Sequence, residues 1–385
     1  TEEISVMLQQ TKWPLAIRSS SLLEDSSHQP FAGVYATYML ANDHPELEVR
    51  LKRLLEAIKL VYASTYHHGA KAYVAATPST IEDERMAVVI QDLVGDEVNG
   101  RFYPTISGAA RSRNHYPVEP LVAEDGIAAI CIGLGRQVSN GGKCLRYSPG
   151  QPRRIHQFYS NQATLDTSQR NFFAIPMRQE DGEVHADEED NLLNLGLAEA
   201  EEDGCLALVG STYVVSDDRM VDSLAVDGGP RVVTFAPVLK HGRFPLSEIL
   251  SHVLNTCQNY IGSPVELEFA MSINQDSGKR RFAILQVRPM MEESVDIDID
   301  LAEIDRSKAM CICSQSLGNG VIEGIKDVVY VHPERLDRMR TMDLTAEIEA
   351  IDAALRAEER PYVLIGPGRW GSSDPSLGIP VQWDQ

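Results

Sequence analysis

The chain has 385 residues, of which 43% are apolar and 24% charged, an ordinary globular composition with room for two or three packed domains. Acidic residues outnumber basic ones 56 to 35 for a net charge of −21, a field that repels nucleic acid and anionic lipid and obliges any nucleotide site to bring its own local cations and metal. No run of about 18 apolar residues exists, Thr1-Glu2-Glu3 lacks the basic-then-apolar opening of a secretory signal, and a soluble cytoplasmic protein with no membrane and no nucleic-acid partner is expected.

Trp13 to Ile17 predicts a short strand running into Arg18-Ser19-Ser20-Ser21. An arginine at a strand end beside hydroxyls, followed by Phe31-Ala32-Gly33 and Thr37, suits a loop over phosphates. Arginine supplies fixed forked donors and Gly33 lets backbone amides approach an anion closely. A structural arginine capping a turn is the alternative. Pro45 to Tyr73 carries helical periodicity in Leu47, Leu51, Leu54, Leu55, Ile58 and Val61. Met86 to Val94 is a nearly continuous apolar strand interrupted by Gln91, and Gly126 to Leu134 is another that ends in Gly133-Leu134-Gly135; both are expected to be buried. The carboxylate-rich stretch from Gln179 to Asp203 reads as a surface excursion that includes a helix over Leu192 to Glu201. Leu246 to Tyr260 is an amphipathic helix leading to two strands, Val265 to Met271 and Phe282 to Arg288. Asp296 to Asp305 is an acidic connector. Beyond it, strands at Ala309 to Cys313, Asp327 to His332 and Tyr362 to Ile365, with a helix at Thr345 to Leu355, suggest a small α/β unit.

Several suggestive patterns carry no chemistry. Gly366-Pro367-Gly368-Arg369-Trp370-Gly371 matches a dinucleotide fingerprint formally, but Ser372-Ser373-Asp374-Pro375 and Pro380 break the helix such a motif needs, so a glycine turn packing Trp370 is expected. The six cysteines are scattered; only Cys311 and Cys313 are close, without the two-residue gap of a zinc knuckle, and all six are read as reduced thiols. His67 and His68 are adjacent and cannot form an i,i+4 metal pair.

The two strands near residue 270 read as a hairpin with a divided surface. Alternation puts Val265, Leu267, Phe269 and Met271 on one side and Glu266 and Glu268 on the other. A loop over Asn274 to Lys279 sets Glu268 opposite Gln286 and Glu266 opposite Arg288, with Leu267/Val287 and Phe269/Leu285 paired on the apolar side. A one-residue slip would set the carboxylates against Leu285 and Val287. Two carboxylates, an amide oxygen and a guanidinium on one patch suit magnesium and the phosphate that shares it. A solvated sheet face with ordinary cross-strand ion pairs is the alternative.

The chain resembles the nucleotide-binding domain of phosphoenolpyruvate synthase and pyruvate phosphate dikinase. The resemblance is carried in order by Ala16-Ile17-Arg18-Ser19-Ser20 with Glu24-Asp25, Phe31-Ala32-Gly33, Ala87-Val88-Val89-Ile90-Gln91, Gly133-Leu134-Gly135, Glu266-Leu267-Glu268-Phe269 and Leu285-Gln286-Val287-Arg288-Pro289. It implies an α+β, ATP-grasp-like two-lobed fold: one lobe over 1–95, a second with the metal-binding hairpin over 96–290, then the connector and small α/β unit over 291–385. It implies ATP and Mg2+ as cofactors, Arg18, Gly33 and Arg288 at the phosphates, Gln91 and Leu93 at the adenine, Glu268 and Gln286 on the metal, and Glu266 beside it. Lys71 would supply a further cation, one turn before Val74, where synthases tend to carry arginine.

No Gly-Gly-Lys segment precedes Trp13, no Thr-x-x-Gly-Gly-x-x-x-His carrier motif occurs, and no barrel-sized region remains for pyruvate chemistry. The chain starts at Thr1 and ends at Gln385 without the stop of a finished domain, so it is expected to be a piece of a longer protein whose other domains carry the phosphohistidine and bind pyruvate. The expected function is the ATP/Mg-binding part of a synthase-like phosphotransferase, with Arg18 and Arg288 as its catalytic cations. A non-catalytic nucleotide-sensing module is the alternative, and a metal-dependent hydrolase is disfavoured because no second cluster of metal ligands is visible.

Overall fold

Leu15 and Ile17 project from one side of the strand Leu15–Ser21 and Arg18 from the other, so this strand must lie between an apolar layer and a polar one. The computed structural model describes residues 2–21, 35–75, 84–115, 117–178, 183–226, 229–274, 278–290, 306–312, 322–336, 341–358, 360–371 and 378–381. Glu24-Asp25, Phe31-Ala32-Gly33, the connector Asp296 to Asp305, Cys313 and Ser372 to Pro375 fall outside the described residues. Residues 1–140 with 144–291 make one compact unit, and residues 141–143 with 292–385 a second. Helices and several small sheets are mixed along the chain, an α+β architecture.

In the first unit, Leu15–Ser21 is the centre of an antiparallel three-stranded sheet, flanked by Thr37–Leu40 and Met86–Asp92. Leu15, Ile17 and Tyr38 pack against Leu54, Ala57 and Val61 of the helix Leu47–Ser64 and against Leu8 of the helix Glu2–Gln10. Buried Arg50 ties that first helix down by donating to the carbonyls of Leu8 and Thr11, both at 2.8 Å. Two expectations need correction here. Met86–Asp92 is an edge strand, not a buried one: Met86, Val88 and Ile90 face the core while Val89 is 42% exposed. The single helix expected to Tyr73 is two, Leu47–Ser64 and His68–Ala75. Between them the Ser64 and Thr65 hydroxyls donate to the carbonyls of Val61 and Tyr62, competing with the helical ladder.

The second sheet of this unit has five strands, in the order Arg280–Pro289, Val265–Ile273, Ile106–Arg111, Ile127–Cys131, Leu145–Tyr147, each antiparallel to its neighbours. Val265, Leu267, Phe269 and Met271 are fully buried, in a core shared with Ile106, Ile130 and the helix Leu246–Ile261. That helix presents Leu246, Leu250 and Leu254 to the core and stops at Gly262, whose φ of 82° is the left-handed cap that only glycine adopts freely. A Cβ on Gly108 would lie 2.1 Å from the carbonyl oxygen of Ala129, so this position has to be glycine for the two strands to pair. The other, polar face carries Glu266 and Glu268, in register with Arg111 and Ala109.

Two smaller sheets complete the unit: Leu193–Gly196, Asn171–Pro176, Arg101–Tyr103 and Asp96–Val98 in one, Arg219–Val221, Gly210–Val214 and Arg231–Val233 in the other. The helix expected over Leu192 to Glu201 is therefore a strand followed by the helix Leu197–Glu202. Leu193 and Leu195 satisfy period two and pack on the main core, and Gly196 separates the two elements.

In the second unit, Asp327–Tyr330 and Tyr362–Ile365 pair in parallel, with the helix Thr341–Ala357 between them in sequence. Trp370 lies over Gly366, where an added Cβ would meet the indole at 2.6 Å, as the glycine-turn reading requires. Ala309 to Ile312 is not a strand: Met310 and Ile312 are 73% and 61% exposed and pair with nothing among the described residues. No described helix is long and apolar enough to cross a membrane.

Leu267 anchors the strand that carries both glutamates. Leu267→Ala is expected to cost about 2–5 kcal/mol, read as a lower urea midpoint at unchanged m-value. A loss below about 0.5 kcal/mol, typical of surface substitutions, would contradict its place in the core.

Candidate functional site

The hairpin loop and the two glutamates ask for different registers. Ile273 pairs with Arg280 around the loop, and an unbroken ladder from there would set Glu268 opposite Leu285 and Glu266 opposite Val287. A bulge between Glu268 and Phe269 absorbs one residue, so that Phe269 faces Ile284 while Glu268 faces Gln286 and Glu266 faces Arg288. The expected Phe269/Leu285 pair is thereby corrected, because Leu285 is the extra residue. Its carbonyl accepts a hydrogen bond from Gln91 Nε2 at 3.2 Å, which joins the edge strands of the two sheets.

Arg18 reaches across to the same patch. Its Nη2 donates to Gln286 Oε1 at 2.7 Å, and both terminal nitrogens lie 3.4 Å from Glu268 Oε2. The Glu268 side chain keeps 40% of its surface exposed and that of Arg18 22%, so the contact is open to solvent on one side. A carboxylate oxygen and an amide oxygen side by side are hard donors, and magnesium is commonly held by one or two carboxylates with water and substrate phosphate completing the shell. The donor set fits that ion, and no group of three or more His, Cys, Asp or Glu suited to a metal occurs among the described residues.

Glu266 stands apart from this trio. It is 9% exposed, its Oε1 accepts from Arg288 Nε at 3.2 Å, and its Oε2 accepts from Arg111 Nε. Burial pushes its carboxyl up, but Arg111 and Arg288 outweigh burial and hold it below the usual glutamate range. Arg288 thus lies beside Glu266, two residue pairs along from Glu268 and Gln286 and next to them on this face.

The remaining expected residues are less tightly gathered. Leu93 packs its side chain toward Phe102, Leu134, Phe173 and Ile175, while its N–H donates to Pro14 and its carbonyl accepts from the Trp13 indole. Lys71 is exposed on the helix His68–Ala75 and has no hydrogen bond or ion pair with Arg18, Glu268 or Gln286. Gly33 lies outside the described residues.

Nothing local in the sequence singles out Arg111, although it ends the run Ile106–Arg111 and faces Glu266 directly. The available signal was the period-two order Ser107, Ala109, Arg111, which puts arginine on the polar face once the partner strand is known.

A family model described as the pyruvate phosphate dikinase, AMP/ATP-binding domain, matches residues 1–308. No match is found among curated proteins.

The Glu266 ion pairs carry a pH signature. Because its folded pKa is lowered, their stabilisation is present above the ordinary glutamate pKa of about 4.3 and is lost as pH falls through the lower folded value. Glu266→Gln is expected to cost about 2 kcal/mol at about pH 7, less than for fully buried pairs because Arg111 is nearly half exposed. The difference from the unsubstituted chain should shrink in acid. Denaturation at a series of pH values checks this, and a pH-independent difference would rule out the ionic origin.

Proposed function

The chain belongs to the pyruvate phosphate dikinase AMP/ATP-binding domain family, and from that premise we propose that it binds Mg-ATP at the Arg18, Glu268 and Gln286 patch. It passes the phosphoryl group toward a carrier histidine on another domain of a longer, synthase-like phosphotransferase that also binds pyruvate. The observation that carries this reading is the meeting of Arg18 with Glu268 and Gln286, residues 250 and 268 positions away. Nothing in local sequence forces that meeting.

Glu268 and Gln286 would hold the magnesium ion, which when bound neutralises charge on the phosphates. Arg18 donates to Glu268 in the free protein. With a cation on Glu268, Arg18 would be free to donate its forked terminal nitrogens to a phosphate oxygen instead. Metal and nucleotide therefore favour one another at this site. Arg288 approaches the phosphates from the neighbouring position with its orientation set by Glu266. Gln91 holds the bulge, and with it the placement of Gln286, against the first sheet. Leu93 would contribute apolar surface to the adenine. Phosphoryl transfer demands mainly positioning and charge stabilisation, which arginines and a carboxylate-held metal supply. A cytoplasmic location is proposed with this function.

Titration calorimetry with ATP, with and without magnesium, tests the reading. Arg18→Ala should weaken Mg-ATP about 10- to 100-fold, as loss of a hydrogen bond between charged groups would. Glu268→Gln should abolish most of the magnesium-dependent gain. Wild-type affinity in both variants would remove this patch from consideration. Transfer of label from γ-labelled ATP to a histidine in the full-length protein tests the catalytic half.

A further inference from the structure

Arg111 ends its strand on the polar face of the five-stranded sheet, directly opposite Glu266. It belongs to a transverse row, Arg288, Glu266, Arg111, that neighbours the row Gln286, Glu268, Ala109. Two residues of strand separate the rows, about 7 Å at ordinary rise. The row next to the metal pair thus holds two guanidinium groups to one carboxylate.

The manner of the pairing is informative. Glu266 grips Arg111 through Nε, and the two terminal nitrogens have no hydrogen-bond partner among the described residues. A guanidinium fixed through Nε is oriented while it still offers a pair of terminal donors to a second oxyanion. Arg111 is also the most exposed of the three arginines at the patch, with 45% of its side chain accessible against 28% for Arg288 and 22% for Arg18. Arg288 already satisfies the other oxygen, so Arg111 is not the sole cation that Glu266 has. In a chain of net charge −21, cations left accessible on one face are the local compensation that a polyanion requires.

We propose that Arg111 binds the polyphosphate beside the metal, and that Glu266 is a positioning residue for Arg111 and Arg288 and not a metal ligand. This rests on the Mg-ATP reading for the nucleoside but not for the polyphosphate, which can be tested by itself.

The full chain is titrated with Mg-ATP, with magnesium and inorganic tripolyphosphate, and with adenosine. Arg111→Gln is expected to weaken Mg-ATP and tripolyphosphate about tenfold and to leave adenosine within about twofold. Arg111→Lys should recover part of the loss, since it restores charge without the fork. Glu266→Gln should weaken both polyphosphates yet keep the magnesium dependence that Glu268→Gln loses. Unchanged tripolyphosphate affinity in Arg111→Gln, or an equal loss for adenosine, would overturn the role of Arg111. Loss of magnesium dependence in Glu266→Gln would overturn that of Glu266. Should Arg111→Gln fail to fold, Arg111→Lys and Glu266→Gln still decide the matter. Tripolyphosphate binding that depends on Arg111 in a chain that ignores ATP would sink the nucleotide reading and leave this inference standing.

Discussion

The burial of Val265, Leu267, Phe269 and Met271 in one apolar layer constrains everything on the reverse side of their strand. With those four side chains fully enclosed, Glu266 and Glu268 must project from the other face. Their charge is then met by whatever the neighbouring strands present at the same level. On one side stand Gln286 and Arg288, and on the other Ala109 and Arg111. Hydrophobic packing, which has no directional preference of its own, thus sets the direction of both glutamates at the patch.

Electrostatics divides the two glutamates into different tasks. Glu266 is nearly buried between two guanidinium groups, which keep it ionised and hold it in place. Glu268 is far more open and has a single arginine that comes from another sheet. The better-satisfied carboxylate serves as scaffold. The less satisfied one has something to gain from a metal ion, and the arginine it would release has something to gain from a phosphate.

Much of this is legible in the sequence. The alternation in Val265 to Met271 and Phe282 to Arg288 carried both faces of the hairpin and the pairing of Glu268 with Gln286 and of Glu266 with Arg288. The bulge at Leu285 was not legible, because it arises from a disagreement between a six-residue loop and the distal register, and neither shows it alone. Arg111 was missed for a related reason: its partner is 155 positions away, and only strand order brings them together. Met86–Asp92 is less buried than its apolar run suggests, because such a run does not say whether a strand is central or at an edge. The exposed Met310 and Ile312 repeat that lesson in the second unit.

The separation between Arg18 and Gln286 has a consequence for biosynthesis. Arg18 leaves the ribosome some 250 residues before the groups it bonds to. At typical elongation rates of about 5–20 residues per second, that is a wait on the order of tens of seconds. For most of it the three-stranded sheet, complete once Asp92 has emerged, can fold before the partners of its arginine exist. The patch therefore cannot exist on a nascent chain that stops short of the hairpin, and a truncated product would carry the three-stranded sheet with Arg18 lacking both of its partners.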